Sequence, residues 1–215
     1  MSKDSLRITE IFYSLQGEGK TVGLPTTFVR LTGCPLRCGY CDTEYAFHGG
    51  ETRSIDSILE EVAEFGAQYI NVTGGEPLAQ KRVHDLMNKL CDQGYHVSLE
   101  TSGALDVSEV DSRVIKVIDV KTPGSGEVSK NLPSNYQYLS SEDQIKYVIC
   151  DEADFVWSKQ HMQKHTLNEQ CEVLFSPVQG TLPAAELANW VLRDKLPVRF
   201  QIQLHKHLWG DVPGK

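Results

Sequence analysis

Tyr69-Ile-Asn-Val-Thr-Gly-Gly-Glu-Pro77 decides the fold. Its first five residues are mostly β-branched or aromatic and read as a strand, which two glycines and a proline then end. Residues 78–91 read as a helix stopping before Gly94, and residues 95–99 as a second strand. Strand, crossover helix and strand within about 30 residues form a βαβ unit. Such a unit pairs its strands in parallel through a right-handed connection.

The same alternation extends in both directions. Residues 26–31 (TTFVRL) read as a strand. Residues 54–65 carry apolar side chains at 55, 58, 59, 62 and 65, with Ser54 placed to cap a helix. Strands follow at 114–120, 144–150 and 171–175, and helices at 152–165 and 183–193, the last with Pro183 at its first turn. Residues 198–204 alternate and read as a final strand. About seven strands and four helices fall short of the eight units and roughly 250 residues of a closed barrel. The expectation is therefore an α/β fold with a mostly parallel sheet, an open or partial (β/α) barrel, forming a single domain over 1–215. Chemistry-bearing residues follow the strands: Cys34, Gly74 to Glu76, Glu100 to Gly103, Lys121, Ser176 and His205. In parallel folds those positions share one end of the sheet, where sites are built.

Composition narrows the function. A formal net charge of -8 over 215 residues disfavours a nucleic-acid partner. The polar start of the chain has no signal-peptide core, and no apolar run approaches the roughly 20 residues of a membrane span. The expected compartment is the cytosol, where thiols stay reduced. Of the cysteines at 34, 38, 41, 91, 150 and 171, three fall within eight residues, which points to metal. Cys91, Cys150 and Cys171 have no ligand spacing and are read as buried thiols.

Cys34-Pro-Leu-Arg-Cys38-Gly-Tyr-Cys41 is a CxxxCxxC motif. Three thiolates on one short loop can hold a [4Fe–4S] cubane and leave one iron open to a small molecule. A structural zinc site completed by His48 is the competing reading. In Thr73-Gly-Gly-Glu-Pro77, glycines would let main-chain carbonyls approach an ammonium group; an ordinary strand-to-helix turn is the plainer reading. The CxxxCxxC loop after an α/β strand, with Tyr40 before its last cysteine, resembles radical S-adenosylmethionine enzymes, and the Gly-Gly-Glu-Pro element resembles their methionine-binding motif.

A closer resemblance spans nearly the whole chain. Residues 12–23 (FYSLQGEGKTVG), 33–43 (GCPLRCGYCDT), 73–77 (TGGEP), 100–103 (ETSG), 119–121 (DVK) and 203–206 (QLHK) together are similar to the 7-carboxy-7-deazaguanine synthase family. That resemblance implies ring contraction of 6-carboxy-5,6,7,8-tetrahydropterin with loss of ammonia, a step toward queuosine. It implies a [4Fe–4S] cluster on Cys34, Cys38 and Cys41, S-adenosylmethionine, and Mg2+ on Thr43. Substrate contacts would come from Leu15, Gln16, Gly17, Glu18, Arg30, Thr101 and the terminal Lys215. S-adenosylmethionine would meet Tyr40, Cys41, Asp42, Gly74, Gly75, Glu76, Ser102, Gly103, Asp119, Val120 and Lys121, with a loop at Ser176, Pro177, Val178 and Gln179 over its adenine. Arg30 could instead form a strand-edge ion pair, and Thr43 a helix cap. A one-electron reductant such as a flavodoxin or ferredoxin would serve the cluster, and the open sheet suggests a homodimer. The rival functions are an activase of a glycyl-radical partner and a zinc-binding protein without enzymatic activity.

Overall fold

The computed structural model describes residues 4–210 and 212–214. Its strands are β1 (Ser5–Leu15), β2 (Pro25–Leu31), β3 (Glu51–Ser54), β4 (Tyr69–Gly74), β5 (His96–Thr101), β6 (Ile115–Asp119), β7 (Gln144–Ile149), β8 (Glu172–Pro177) and β9 (Arg199–Phe200). Its helices are α1 (Ile55–Phe65), α2 (Val83–Asp92), α3 (Glu152–Lys164), α4 (Leu167–Gln170), α5 (Ala184–Arg193) and α6 (Leu204–Trp209). The strands form one sheet in the order β3-β1-β2-β4-β5-β6-β7-β8-β9. β2 and β4 to β9 run parallel, while β1 is antiparallel to both its neighbours. The terminal strands β3 and β9 do not pair, so the barrel is open as expected.

The seven parallel strands are those expected from the sequence; β1 and β3 are additional. Two expectations need correction. Within 198–204 only Arg199–Phe200 pair with β8, and the chain then turns into α6, so His205 lies on a helix. The helix expected over 78–91 begins only at Val83, because Pro77–Ala79 forms a short 3-10 turn whose first amide is capped by the Glu76 side chain.

Alternation within the strands divides the molecule into two chemistries. On one face Val29, Leu31, Ile70, Val72, Val97, Leu99, Ile145, Tyr147, Val173 and Phe175 pack into a single apolar core. Helix side chains such as Ile58 and Val62 of α1, Leu86 and Leu90 of α2, Phe155 of α3 and Leu187 of α5 complete it. Each such burial stabilises by about 1.5–3 kcal/mol. The intervening residues Arg30, Asn71, Thr73, Glu100, Asp119 and Lys146 turn to the other face and line a cleft. α1 starts where the Ser54 hydroxyl accepts from the Ser57 amide at 3.1 Å, and ends at Gly66, whose φ of +66° suits glycine. No helix among the described residues is long and apolar enough to cross a membrane.

Candidate active site

The cleft, about 770 Å³, opens at the C-terminal ends of the parallel strands. That volume lies within the usual range for small-molecule sites. Cys34, Cys38 and Cys41 all face it from the loop that follows β2. The loop is shaped by its own bonds. The Gly33 amide donates to Ala46 O at 2.7 Å, the Cys41 amide to Cys38 O at 3.1 Å, and the Gly39 amide to Ser125 O at 3.0 Å. Arg37 donates to the carbonyls of Cys34 and Leu36 while its guanidinium lies 4.2 Å from the Phe47 ring. Burial pushes all three thiols up, Cys38 to about 11, so metal must displace their protons on binding. Among the described residues, no three His, Cys, Asp or Glu side chains converge closely enough for a single ion. His48, the fourth ligand of the zinc reading, is not among the residues that line the cleft. A cubane bonds each thiolate to a different iron and suits this donor set. All six cysteines are free; Cys171 is buried as expected, whereas Cys91 and Cys150 are only half-buried.

The Gly-Gly turn packs backbone to backbone on the cysteine loop. A Cβ on Gly75 would come within 2.3 Å of Gly33 O, and one on Gly74 within 2.5 Å of Leu31 O. Any side chain here would push the two loops apart. Glu76 is buried and faces away from the cleft. Its carboxylate accepts from the Leu78 amide at 3.0 Å, the Thr101 hydroxyl at 2.9 Å, the Ser102 amide at 2.7 Å and the Ser102 hydroxyl. It thus ties the ends of β4 and β5 together. Gly103, Val120, Ser176 and Pro177 also lie off the cleft wall: Val120 belongs to the core, and Ser176 and Pro177 are the last residues of β8. Glu76→Ala should therefore lower stability by about 3 kcal/mol, because it strands several buried donors. The midpoint of denaturant unfolding of the cluster-free protein measures this; an unchanged midpoint would contradict the tying role.

Leu15, Gln16, Gly17, Glu18, Arg30 and Thr101 also line the cleft. The Gln16 side-chain oxygen accepts from the Gly17 and Glu18 amides at 2.9 and 3.3 Å, which leaves its amide nitrogen for a ligand. Arg30 forms the ion pair that was its alternative reading. Glu10 takes its Nε at 2.7 Å, and the guanidinium sits 5.7 and 5.8 Å from the Phe12 and Tyr45 rings on the cleft wall. A guanidinium has five donors, so one pairing does not exhaust it.

Lys146, on β7, is the hub of the floor. Its Nζ lies 2.7 Å from Glu18, 3.2 Å from Glu100 and 3.8 Å from Asp119. Burial alone would lower its pKa, but the three carboxylates together hold it well above the ordinary lysine value. Burial works upward on Glu18, yet Lys146 outweighs it and keeps that carboxyl below its usual range. Glu100 moves the other way: burial, with Glu18 and Asp119 nearby, raises it in spite of Lys146. Asp119 also pairs with Lys121 at 3.1 Å, and its Oδ1 is buried without a protein partner, an acceptor left for a ligand. Neither Lys146 nor a role for Glu100 was read from the sequence. A lysine at an alternate position of the apolar strand QIKYVI was the available signal, since buried lysine is rare unless paired.

Tyr40, Asp42, Thr43, Ser102, Lys121, Val178 and Gln179 complete the wall. Thr43 precedes the 3-10 turn Glu44–Ala46 but makes no side-chain cap to it. Its hydroxyl instead donates to Asp42 Oδ1 at 2.8 Å, leaving the oxygen's lone pairs for a hard cation. α6 crosses the cleft: the Leu204 amide donates to Gly17 O at 3.0 Å, and His205 packs on Gly17, where a Cβ would collide with its ring. Lys215 lies outside the described residues.

Comparison with known proteins agrees with this geometry. Residues 28–119 match the Radical SAM superfamily. The chain is 45% identical to the 7-carboxy-7-deazaguanine synthase of Chlorobaculum tepidum, across 95% of this chain and 94% of that protein. It is 42% identical to the 7-carboxy-7-deazaguanine synthase of Koribacter versatilis, across 95% and 97%. Among solved structures, QueE from Escherichia coli superposes with a TM-score of 0.77 at 22% identity, covering 94% of this chain and 95% of that one. That likeness bears on the fold. With a relative this similar along almost its full length, and three thiols facing one cleft, the chain belongs to the 7-carboxy-7-deazaguanine synthase family of radical S-adenosylmethionine enzymes, whose cofactors are a [4Fe–4S] cluster and S-adenosylmethionine.

Proposed function

We propose that the protein converts 6-carboxy-5,6,7,8-tetrahydropterin to 7-carboxy-7-deazaguanine with release of ammonia. One observation carries this reading: a single cleft gathers three thiols, a Gly-Gly turn, an arginine and a carboxylate that Lys146 keeps charged. When bound, the cluster supplies the one electron that turns S-adenosylmethionine into a radical. Cys34, Cys38 and Cys41 hold it. The backbone of Gly74 and Gly75 receives the methionine ammonium, with Ser102 beside it. Asp119 and Lys121 take the ribose and carboxylate, the free Oδ1 of Asp119 accepting a hydroxyl. Tyr40, Cys41, Asp42, Val178 and Gln179 surround the adenine and the cluster edge.

Arg30 takes the substrate carboxylate through the donors that Glu10 leaves. The ionised Glu18, the Gln16 amide nitrogen and the backbone at Leu15 and Gly17 read the amino-pyrimidine edge. The Thr43 hydroxyl would hold Mg2+, which would offset the charge of the substrate carboxylate. Glu76 and Gly103 shape the site from behind, and Thr101 divides itself between Glu76 and the cleft. A flavodoxin or ferredoxin delivers electrons in the cytosol to a homodimer.

The test is an anaerobic assay with reconstituted protein, reductant, S-adenosylmethionine and carboxytetrahydropterin, with and without magnesium. A deazapurine chromophore is expected, strongest with magnesium. Its absence from protein that carries a full cluster would overturn the substrate assignment.

A further inference from the structure

We propose that Lys206, on α6, is a positioning residue for the cation site: it fixes Asp42, and Asp42 orients the Thr43 hydroxyl. The inference rests on the reading of Thr43 as the magnesium residue and extends it to a helix that has no assigned role there. Lys206 Nζ lies 2.7 Å from Asp42 Oδ2, and its side chain is only 11% exposed. Gln203 Nε2 reaches the same oxygen at 3.3 Å. The other oxygen, Oδ1, accepts the Thr43 hydroxyl proton at 2.8 Å. The two carboxylate oxygens thus have separate tasks, one toward α6 and one toward Thr43.

The division has a chemical consequence. A hydroxyl that donates to a carboxylate has a fixed proton, so its lone pairs point in a fixed direction, and the negative charge behind it makes the oxygen a better donor to a cation. Hydrogen-bond partners behind a metal ligand commonly set metal affinity by 10–100-fold. Asp42 cannot do this if it rotates freely, because it stands on the exposed side of the cysteine loop. Lys206 and Gln203 remove that freedom. α6 is itself held in place, since the Leu204 amide donates to Gly17 O at 3.0 Å and the His205 ring packs on Gly17. The helix therefore joins the loop that reads the substrate edge to the residue that binds the cation.

The experiment uses holoenzyme with its cluster oxidised, S-adenosylmethionine and carboxytetrahydropterin present, and no reductant, so that nothing turns over. Free Mn2+ is titrated by electron resonance, and S-adenosylmethionine affinity is measured in parallel. Lys206→Met should weaken Mn2+ binding by about tenfold or more, and Lys206→Arg should restore it to within a few-fold. The S-adenosylmethionine affinity should fall by clearly less than the Mn2+ affinity in Lys206→Met, since Asp42 is one of several groups around the adenine but the one behind Thr43. Asp42→Asn should weaken Mn2+ binding as well, and decides the matter should the lysine variants not fold. Wild-type Mn2+ affinity in Lys206→Met, or in Asp42→Asn where that variant decides, overturns the inference. A wild-type protein that takes up no Mn2+ removes the cation from Thr43, and this inference with it, while the product assay still judges the reaction.

Discussion

Cys38→Ser should eliminate turnover, a fall of more than about 10⁶-fold, the low end of what enzymes contribute over the uncatalysed reaction. The cause is ligand number. Three thiols face the cleft, and they sit on one loop held mainly by backbone hydrogen bonds, with the Leu36 amide donating to the sulfur of Cys34, not Cys38. Removing one leaves two, too few to hold a cubane with one iron open. The loop itself should survive. Cys38 is half-buried and its backbone bonds are independent of its side chain, so stability should change by less than about 1 kcal/mol. Two measurements separate the effects: iron and sulfide per chain, and the melting temperature of the cluster-free protein. Cys91→Ser is the control, since Cys91 sits near the end of α2 away from the cleft and should load its cluster fully. A Cys38→Ser protein with four irons and a resonance signal that responds to S-adenosylmethionine would refute the assignment.

The parts of this molecule that were legible in its sequence are those where local pattern and tertiary environment agree. Each of β4 to β8 sits between two neighbours, so both faces are constrained and the residue pattern is strong. β1 also has two neighbours, but it shifts register between Ile8 and Glu10, which breaks the alternation that would have marked it. The true edges failed for the reverse reason. β3 is four residues of charged and polar chain, as edge strands often are. Residues 198–204 alternate correctly, yet β9 has one neighbour only, and the Leu204 amide is drawn to Gly17 O instead of a ladder. In the site, the cysteine loop and the Gly-Gly turn were legible because their chemistry is local. Where the Glu76 carboxylate turns was not legible in its motif, because Thr101 and Ser102, about 25 residues on, claim it. Lys146 stayed invisible because its meaning depends on three acids from three other segments.

Lys146→Met should damage both folding and substrate recognition, and the pH dependence identifies why. Three carboxylates of the cleft floor share this one ammonium, and Lys121 serves Asp119 alone. Removing a partner from a buried charge pair typically costs about 3–5 kcal/mol, because an uncompensated charge stays behind. In the wild type, Glu18 is held below its ordinary 4.5, so its contribution is present above that pH and is lost as the pH falls through the lowered value. Lys146, held well above 10.5, contributes fully below that pH and is lost only above it. Without Lys146, burial, the largest influence on Glu18, is opposed only by the lesser effects of His205 and Gln203, and it adds to the upward shift already present in Glu100. The folded variant then binds protons that its unfolded chain releases, so its stability declines as pH rises above about 4.5. The deficit relative to wild type should be small near pH 4.5 and about 3 kcal/mol near pH 8. Activity should follow. A protonated Glu18 loses its charge and presents an O–H where an acceptor is needed, so it binds the amino-pyrimidine edge less well and kcat/KM should fall by about 10²–10³ at neutral pH. Lys146→Arg keeps the charge but replaces a point donor by a planar fork, and should recover stability more than activity. If Lys146→Met instead lost the same stability at pH 4.5 as at pH 8, lost packing and not lost charge would be the cause, and Glu18 would owe its ionisation to the other groups around it, His205 and Gln203.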